Sequence, residues 1–176
     1  MTGTAFSSMN MLADVVSGAT GAGVWQFLGQ LGGALALGIA ALGSAIGIGA
    51  AGRAAAGAWA KEAKSGAGLR FTHIILLGMP ISQTLYAMIV MNKIKAVADN
   101  PELLVQYAGL LLAAGIATGI AEMFSAWMQG LIGAAGIRAI SDSEGKGFVF
   151  MLIAMGIVET VGIFAMVFML GMFPKV

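Results

Sequence analysis

The chain is a succession of long apolar stretches cut by short polar ones. Val24 to Ala60, Phe71 to Asn92, Leu103 to Ile140 and Gly147 to Met172 are apolar or small almost throughout. Each is longer than the roughly 20 residues with which a helix crosses a bilayer. Between them lie Lys61–Arg70, Lys93–Glu102 and the turn Ser141-Asp142-Ser143-Glu144-Gly145-Lys146. The pattern predicts an all-α membrane protein with four transmembrane helices in two tandem helical hairpins. An N-terminal extension (1–23) precedes the first hairpin (24–94), and an outer connecting loop (95–102) leads to the second (103–176). The first helix is long enough to project beyond the bilayer on one side. Pro80 interrupts the second span, and the missing N–H of a proline loosens the backbone ladder and can leave carbonyl oxygens free. Asn100-Pro101 is a turn signal that also suits the start of a helix.

Glycine crowds the first span: Gly29, Gly32, Gly33, Gly38, Gly43, Gly47, Gly49, Gly52 and Gly57. In lipid these let backbones approach closely, and Gly29/Gly33 and Gly43/Gly47 are GxxxG pairs. Met1 to Ala22 has no Lys or Arg, so it lacks the positive flank of a secretory signal. There Phe6, Met9, Met11, Leu12, Val15 and Val16 form one side of a short interfacial helix on one reading, and belong to a disordered tail on the other.

Composition agrees with the pattern. At 176 residues and 59% hydrophobic, with only 10% charged, the chain has more apolar surface than a soluble core of its size hides. A net charge of +1 suggests neither nucleic acid nor an acidic substrate. The absence of cysteine and the single His73 leave no disulfide framework and no zinc, haem or thiol site to expect. His73 reads as an interfacial residue. No phosphate loop, triad or metal motif is present, so no catalytic activity and no organic cofactor are expected in the chain itself. Arg53, Lys61, Lys64, Arg70, Arg138 and Lys146 cluster around the loops of one side, whereas Lys93, Lys95 and Lys175 lie on the other. The first side is therefore expected to be cytoplasmic, with both termini on the opposite side.

The candidate chemistry is an acid in greasy sequence. Gln129 lies eleven residues before Ile140, and Glu159 twelve after Gly147. At the helical rise these are roughly 17 and 18 Å of axis, so the two side chains share a depth on facing helices. An ionisable residue in a membrane segment is costly, and by default it marks a site. Glu159 is expected to bind a travelling cation, with Gln129 helping to coordinate it. A hard cation prefers several oxygens. The second span offers them in Met79-Pro80-Ile81-Ser82-Gln83-Thr84-Leu85-Tyr86, where Ser82 and Gln83 supply oxygens and Tyr86 donates a phenolic hydrogen bond to the carboxylate. One negative charge among neutral oxygens suits a monovalent ion.

The halves resemble each other. Gly49-Ala50-Ala51-Gly52 matches Gly133-Ala134-Ala135-Gly136, and Gln83-Thr84 matches Glu159-Thr160. Gln83 stands where Glu159 stands, and Ala45 where Gln129 stands, so one carboxylate site is expected per two hairpins. Both hairpins have the same orientation, which counts against an alternating-access carrier or channel built from inverted repeats.

From Gly32 to Leu170 the chain resembles the membrane rotor proteolipid, the K or c subunit, of V-type rotary ATPases in its duplicated form. The carriers are Gly43-Ser44-Ala45-Ile46-Gly47-Ile48-Gly49, Pro80-Ile81-Ser82-Gln83-Thr84-Leu85-Tyr86, Gln129-Gly130-Leu131-Ile132-Gly133-Ala134-Ala135-Gly136-Ile137 and Val158-Glu159-Thr160. The resemblance to the bacterial sodium-pumping members implies Na+ held by Glu159, Gln129, Gln83, Ser82 and the backbone oxygen of Met79. Tyr86 steadies the glutamate, and H+ is the alternative ion. It also implies a homo-oligomeric ring in a bacterial cell membrane and a stator subunit with an essential arginine. A central-stalk subunit (d/C) at the cytoplasmic loops, and ATP hydrolysis on partner subunits, complete the implied assembly. Two positions depart from the pattern. Ser82 stands where threonine is frequent, and Glu122 is an unexpected second carboxylate two turns before Gln129. An exit path, a second ion site and a group lining the ring interior are the readings open for Glu122.

Overall fold

The computed structural model describes residues 3–176, with side chains from Gly23 onward. The expected amphipathic segment Phe6 to Val16 therefore lies outside the described side chains. Five α-helices follow one another: α1 (Gly3–Lys64), α2 (Thr72–Gly78), α3 (Ser82–Ala98), α4 (Pro101–Asp142) and α5 (Phe148–Met172), with a 3₁₀ turn (Met79–Ile81) between α2 and α3. No strand occurs among the described residues. Four stretches are long and apolar enough to cross a membrane: the described part of α1, α2 to α3 as one broken rod, α4 and α5. The part of α1 with described side chains, Gly23–Lys64, has 42 residues. That is about 63 Å of helix, twice the hydrocarbon thickness.

Backbone contact holds α1 against α4. A Cβ on Gly115 would overlap the backbone of Gly32, and one on Gly130 would overlap that of Gly47. Gly43 meets the Met123 backbone in the same way. Only glycine permits this approach, which brings the two backbones into van der Waals contact between Gly32 and Gly47 of α1 and between Gly115 and Gly130 of α4. The second span and α5 pack outside this pair. Two apolar clusters close the ends: Ala51, Leu76, Ile137, Ile140 and Met155 toward the polar turns, and Val90, Ile94, Leu104, Leu111 and Phe173 toward the other end.

The helices run further than the sequence pattern predicts. α1 continues through Lys61–Lys64, and α3 through Lys93–Ala98, so that only Asp99 and Asn100 separate α3 from α4. Asn100 caps α4 by accepting from the amides of Glu102 (3.0 Å) and Leu103 (3.2 Å), and Pro101 occupies the first turn. His73, near the polar end of the second span, is fully buried within the protein, and its Nε2 lies 2.9 Å from Oε1 of Glu62, which also accepts from the Arg70 guanidinium at 2.7 Å. Glu62 Oε2 accepts from the Arg70 amide at 3.1 Å, and Trp59 donates to the Arg70 carbonyl at 3.1 Å. The α1–α2 connection is thus tied to the end of α1. The second hairpin turns through left-handed residues, Glu144 (φ 58°), Gly145 (φ 101°) and Gly147 (φ 86°).

Candidate functional site

The site begins at the break in the second span. Pro80 has no N–H to continue the ladder, and the backbone tightens into the 3₁₀ turn before α3 starts. The amide of Ser82 then bonds the Met79 carbonyl, and so does its hydroxyl, at 3.0 Å. Met79 O is therefore an acceptor already shared with Ser82 rather than a free carbonyl. The same hydroxyl lies 3.2 Å from Gln83 Oε1, which links it to the buried amide of the next residue.

From Gln83 the network crosses to α4. Its Nε2 donates to Ser125 Oγ and to Gln129 Oε1, both at 3.2 Å. Gln129 Nε2 in turn donates to the Met155 carbonyl of α5 at 3.2 Å and, at 3.4 Å, to Glu159 Oε2. Tyr86 donates to the other carboxyl oxygen, Glu159 Oε1, at 2.7 Å. Both oxygens of Glu159 thus face neutral donors from two different helices. Gln83 and Gln129 are fully buried, while Glu159, Tyr86 and Ser82 are half-buried. None of the ion pairs among the described residues includes Glu159; all lie toward helix ends.

Glu159, Gln129, Gln83, Ser82, Met79 and Tyr86 therefore belong to one connected network where α3, α4 and α5 meet. Glu122 does not join it: the carboxyl is buried on α4 with no hydrogen-bond partner. Sequence reasoning missed Ser125, which accepts from Gln83 and donates to the Val158 carbonyl at 3.1 Å. Its one sequence signal, a place one helical turn before Gln129 on the same face, does not set it apart from the small residues that pack any membrane helix. The first hairpin has no equivalent acid. There Thr84, the counterpart of Thr160, donates to Ser44 at 2.8 Å, and Gln83 turns toward the second hairpin.

Chemically, one carboxylate surrounded by amide, hydroxyl and carbonyl oxygens is a set that a small hard cation can share. The helices that carry it each cross the membrane, and the hairpin occurs twice, which defines an integral, multi-pass membrane proteolipid. The family model for the C subunit of ATP synthase matches the chain over residues 31–92 and again over 112–172, once on each hairpin, and the chain belongs to that family. Proteolipids of this family form oligomeric rings, the rotor of an ATP synthase or ATPase, and these rings work against a stator. A search of the curated proteins found no match.

Proposed function

We propose that the chain is the rotor-ring subunit of a V-type rotary ATPase and that Glu159 carries Na+ across the membrane as the ring turns. The observation that carries this reading is the convergence of Glu159, Gln129, Gln83, Ser82 and Tyr86 in one network without a basic residue. A proton needs only the carboxyl. Sodium draws on several oxygen ligands at once, and the amide and hydroxyl oxygens of Gln83, Gln129 and Ser82 gathered near Glu159 are the kind it takes. In the loaded site the ion accepts electron density from Glu159, the amide oxygens of Gln83 and Gln129, the Ser82 hydroxyl and the Met79 carbonyl. Tyr86 holds the carboxylate in place.

Rotation follows from the cost of bare charge in lipid. A loaded site is neutral overall and passes through the hydrocarbon, whereas an emptied one must meet a counter-charge. An arginine of the stator fills that role in the proposal: it releases the ion toward one half-channel and holds Glu159 until another ion arrives. Each elementary charge moved works against roughly 2.3 kcal/mol per 100 mV. With one site per four helices, fewer ions cross per turn than in a ring of equal size built from single hairpins, which favours pumping against a steep gradient. The loops rich in Lys and Arg face the cytoplasm of a bacterial cell in this reading, where a central-stalk subunit docks on them, and both termini lie outside.

ATP-driven uptake of radioactive sodium into vesicles holding the whole complex tests the proposal. Uptake is expected for the wild type in the presence of a protonophore and is expected to vanish in E159Q. Uptake abolished by the protonophore, or acidification of the lumen without sodium, assigns the site to H+. Sodium uptake by the purified chain alone, without ATP or partner subunits, contradicts the rotor and returns the chain to a channel or carrier.

A further inference from the structure

Outside the network, one acidic side chain is unaccounted for. Glu122 is fully buried on α4, and neither carboxyl oxygen has a partner. Thr118, one turn earlier on the same face, is also fully buried with an unpartnered hydroxyl. The Glu122 carboxyl is aimed at α5. A Cβ on Gly162 would overlap its Oε2 and would come within 3.3 Å of Ser125 Oγ, so the missing side chain of Gly162 makes the space that the acid fills. Gly162 lies three residues beyond Glu159, and Ser125 belongs to the network around that residue. Glu122 therefore lies beside the first site, toward the Pro101 end of α4.

Nothing among the described residues around Glu122 balances a negative charge. The titratable groups within electrostatic reach are Glu159 of α5 and Tyr86 of α3, neither of them basic. No Lys, Arg or His pairs with Glu122 among the described residues. A carboxylate without donors, in low dielectric and next to a second carboxylate, is not kept bare. Oxygen atoms are present nevertheless: the two carboxyl oxygens, the Thr118 hydroxyl and the Ser125 hydroxyl.

We propose that Glu122 is the ligand of a second monovalent cation, held beside the hydroxyls of Thr118 and Ser125 on the face of α4 that meets Gly162. A single carboxylate with two hydroxyls suits a monovalent ion better than a divalent one, whose second charge it would leave unbalanced. The shared chemistry is neutralisation of the acid by one positive charge, supplied by sodium or by a proton. This goes beyond the rotor reading and holds whichever ion Glu159 carries. Each protomer then keeps two neutralised acids, and the charge state of one sets the field felt by the other.

Purified wild-type, E122Q and E159Q rings equilibrated with radioactive sodium provide the test, with bound sodium counted per chain. The carbonyl stretch of protonated carboxyls is recorded by infrared spectroscopy on the same samples. If sodium is the second ion, E122Q binds one sodium fewer per chain than the wild type. If it is a proton, the sodium count is unchanged, and a protonated-carboxyl band present in saturating sodium disappears in E122Q but persists in E159Q. A sodium count and a band both indifferent to E122Q overturn the proposal. G162A rings supply a second variant that retains the acid. The added methyl takes its space, so it shifts the same band or lowers the same count, and no change in either also overturns the proposal. Failure of the sodium reading at Glu159 shows separately, as a sodium count that E159Q leaves untouched.

Discussion

Tyr86 shows how a single hydroxyl contributes to the candidate site. Its hydrogen bond to Glu159 Oε1 is 2.7 Å long, and in the proposed ion-loaded site that oxygen belongs to a carboxylate. Such bonds contribute roughly 1.5–3 kcal/mol. Y86F is therefore expected to weaken sodium binding by about tenfold or more, measured by titration of radioactive sodium on purified rings; unchanged affinity would remove the tyrosine from the site. S125A is expected to act less directly, since it leaves Gln83 Nε2 with Gln129 as its remaining partner and costs roughly 1 kcal/mol of stability, read from thermal dissociation of the ring. Most of the network was legible in the sequence because Glu159, Gln129 and Gln83 are conspicuous in apolar helices. Ser125 was not, since small hydroxyl residues in membrane helices are ordinary packing material. The carbonyls of Met155 and Val158 carry no side-chain signal at all. The burial of His73 was not legible because its partner Glu62 lies eleven residues away across a connection, and periodicity does not reveal which residues such a connection brings together.

The glycine contact between α1 and α4 fixes the frame on which the site's helices rest. Gly115→Ala is expected to destabilise the protomer by about 1–3 kcal/mol, because the nearest atoms are Gly32 backbone that has no rotamer to yield. Gly57→Ala, where nothing lies within 4 Å, is the control and is expected to be neutral or slightly stabilising. Heat-induced dissociation of the ring in detergent compares the two. The broken second span was readable from Pro80, as was the start of α4 from Asn100-Pro101. The overruns of α1 and α3 were not, because Lys61–Lys64 and Lys93–Ala98 are polar enough to suggest a loop yet consist largely of good helix formers. Polarity marks where a helix leaves lipid, not where it ends. At the polar end of α1, Glu62 is almost fully buried, so Glu62→Ala leaves His73 and Arg70 without their acceptor. Loss of one partner from a buried ion pair costs roughly 3 kcal/mol, and faster tryptic cleavage between Lys64 and Arg70 is the expected readout.

As a single copy the molecule leaves much of its apolar surface uncovered. Only 11% of the apolar window of α5 is buried, and Ile153, Ile157, Val161, Phe164 and Phe168 stand exposed along it. Lipid and neighbouring protomers of the ring supply the missing contacts, and Glu159 lies half-buried on this same helix. Native mass measurement after mild detergent extraction is expected to give a closed ring at an integral multiple of 17.8 kDa. A monomer would contradict assembly into a rotor. The repeated hairpin made this architecture readable, because two like copies in one orientation are visible in the sequence without any knowledge of packing. The ion is a separate matter, since it depends on how amide and hydroxyl oxygens converge in space. Carbodiimide modification of Glu159, followed by peptide mass spectrometry at constant pH with and without sodium, addresses that convergence most directly. Sodium is expected to protect Glu159 in a saturable manner, with protection weakened in Y86F; modification at the same rate with and without sodium would contradict a sodium-binding carboxylate.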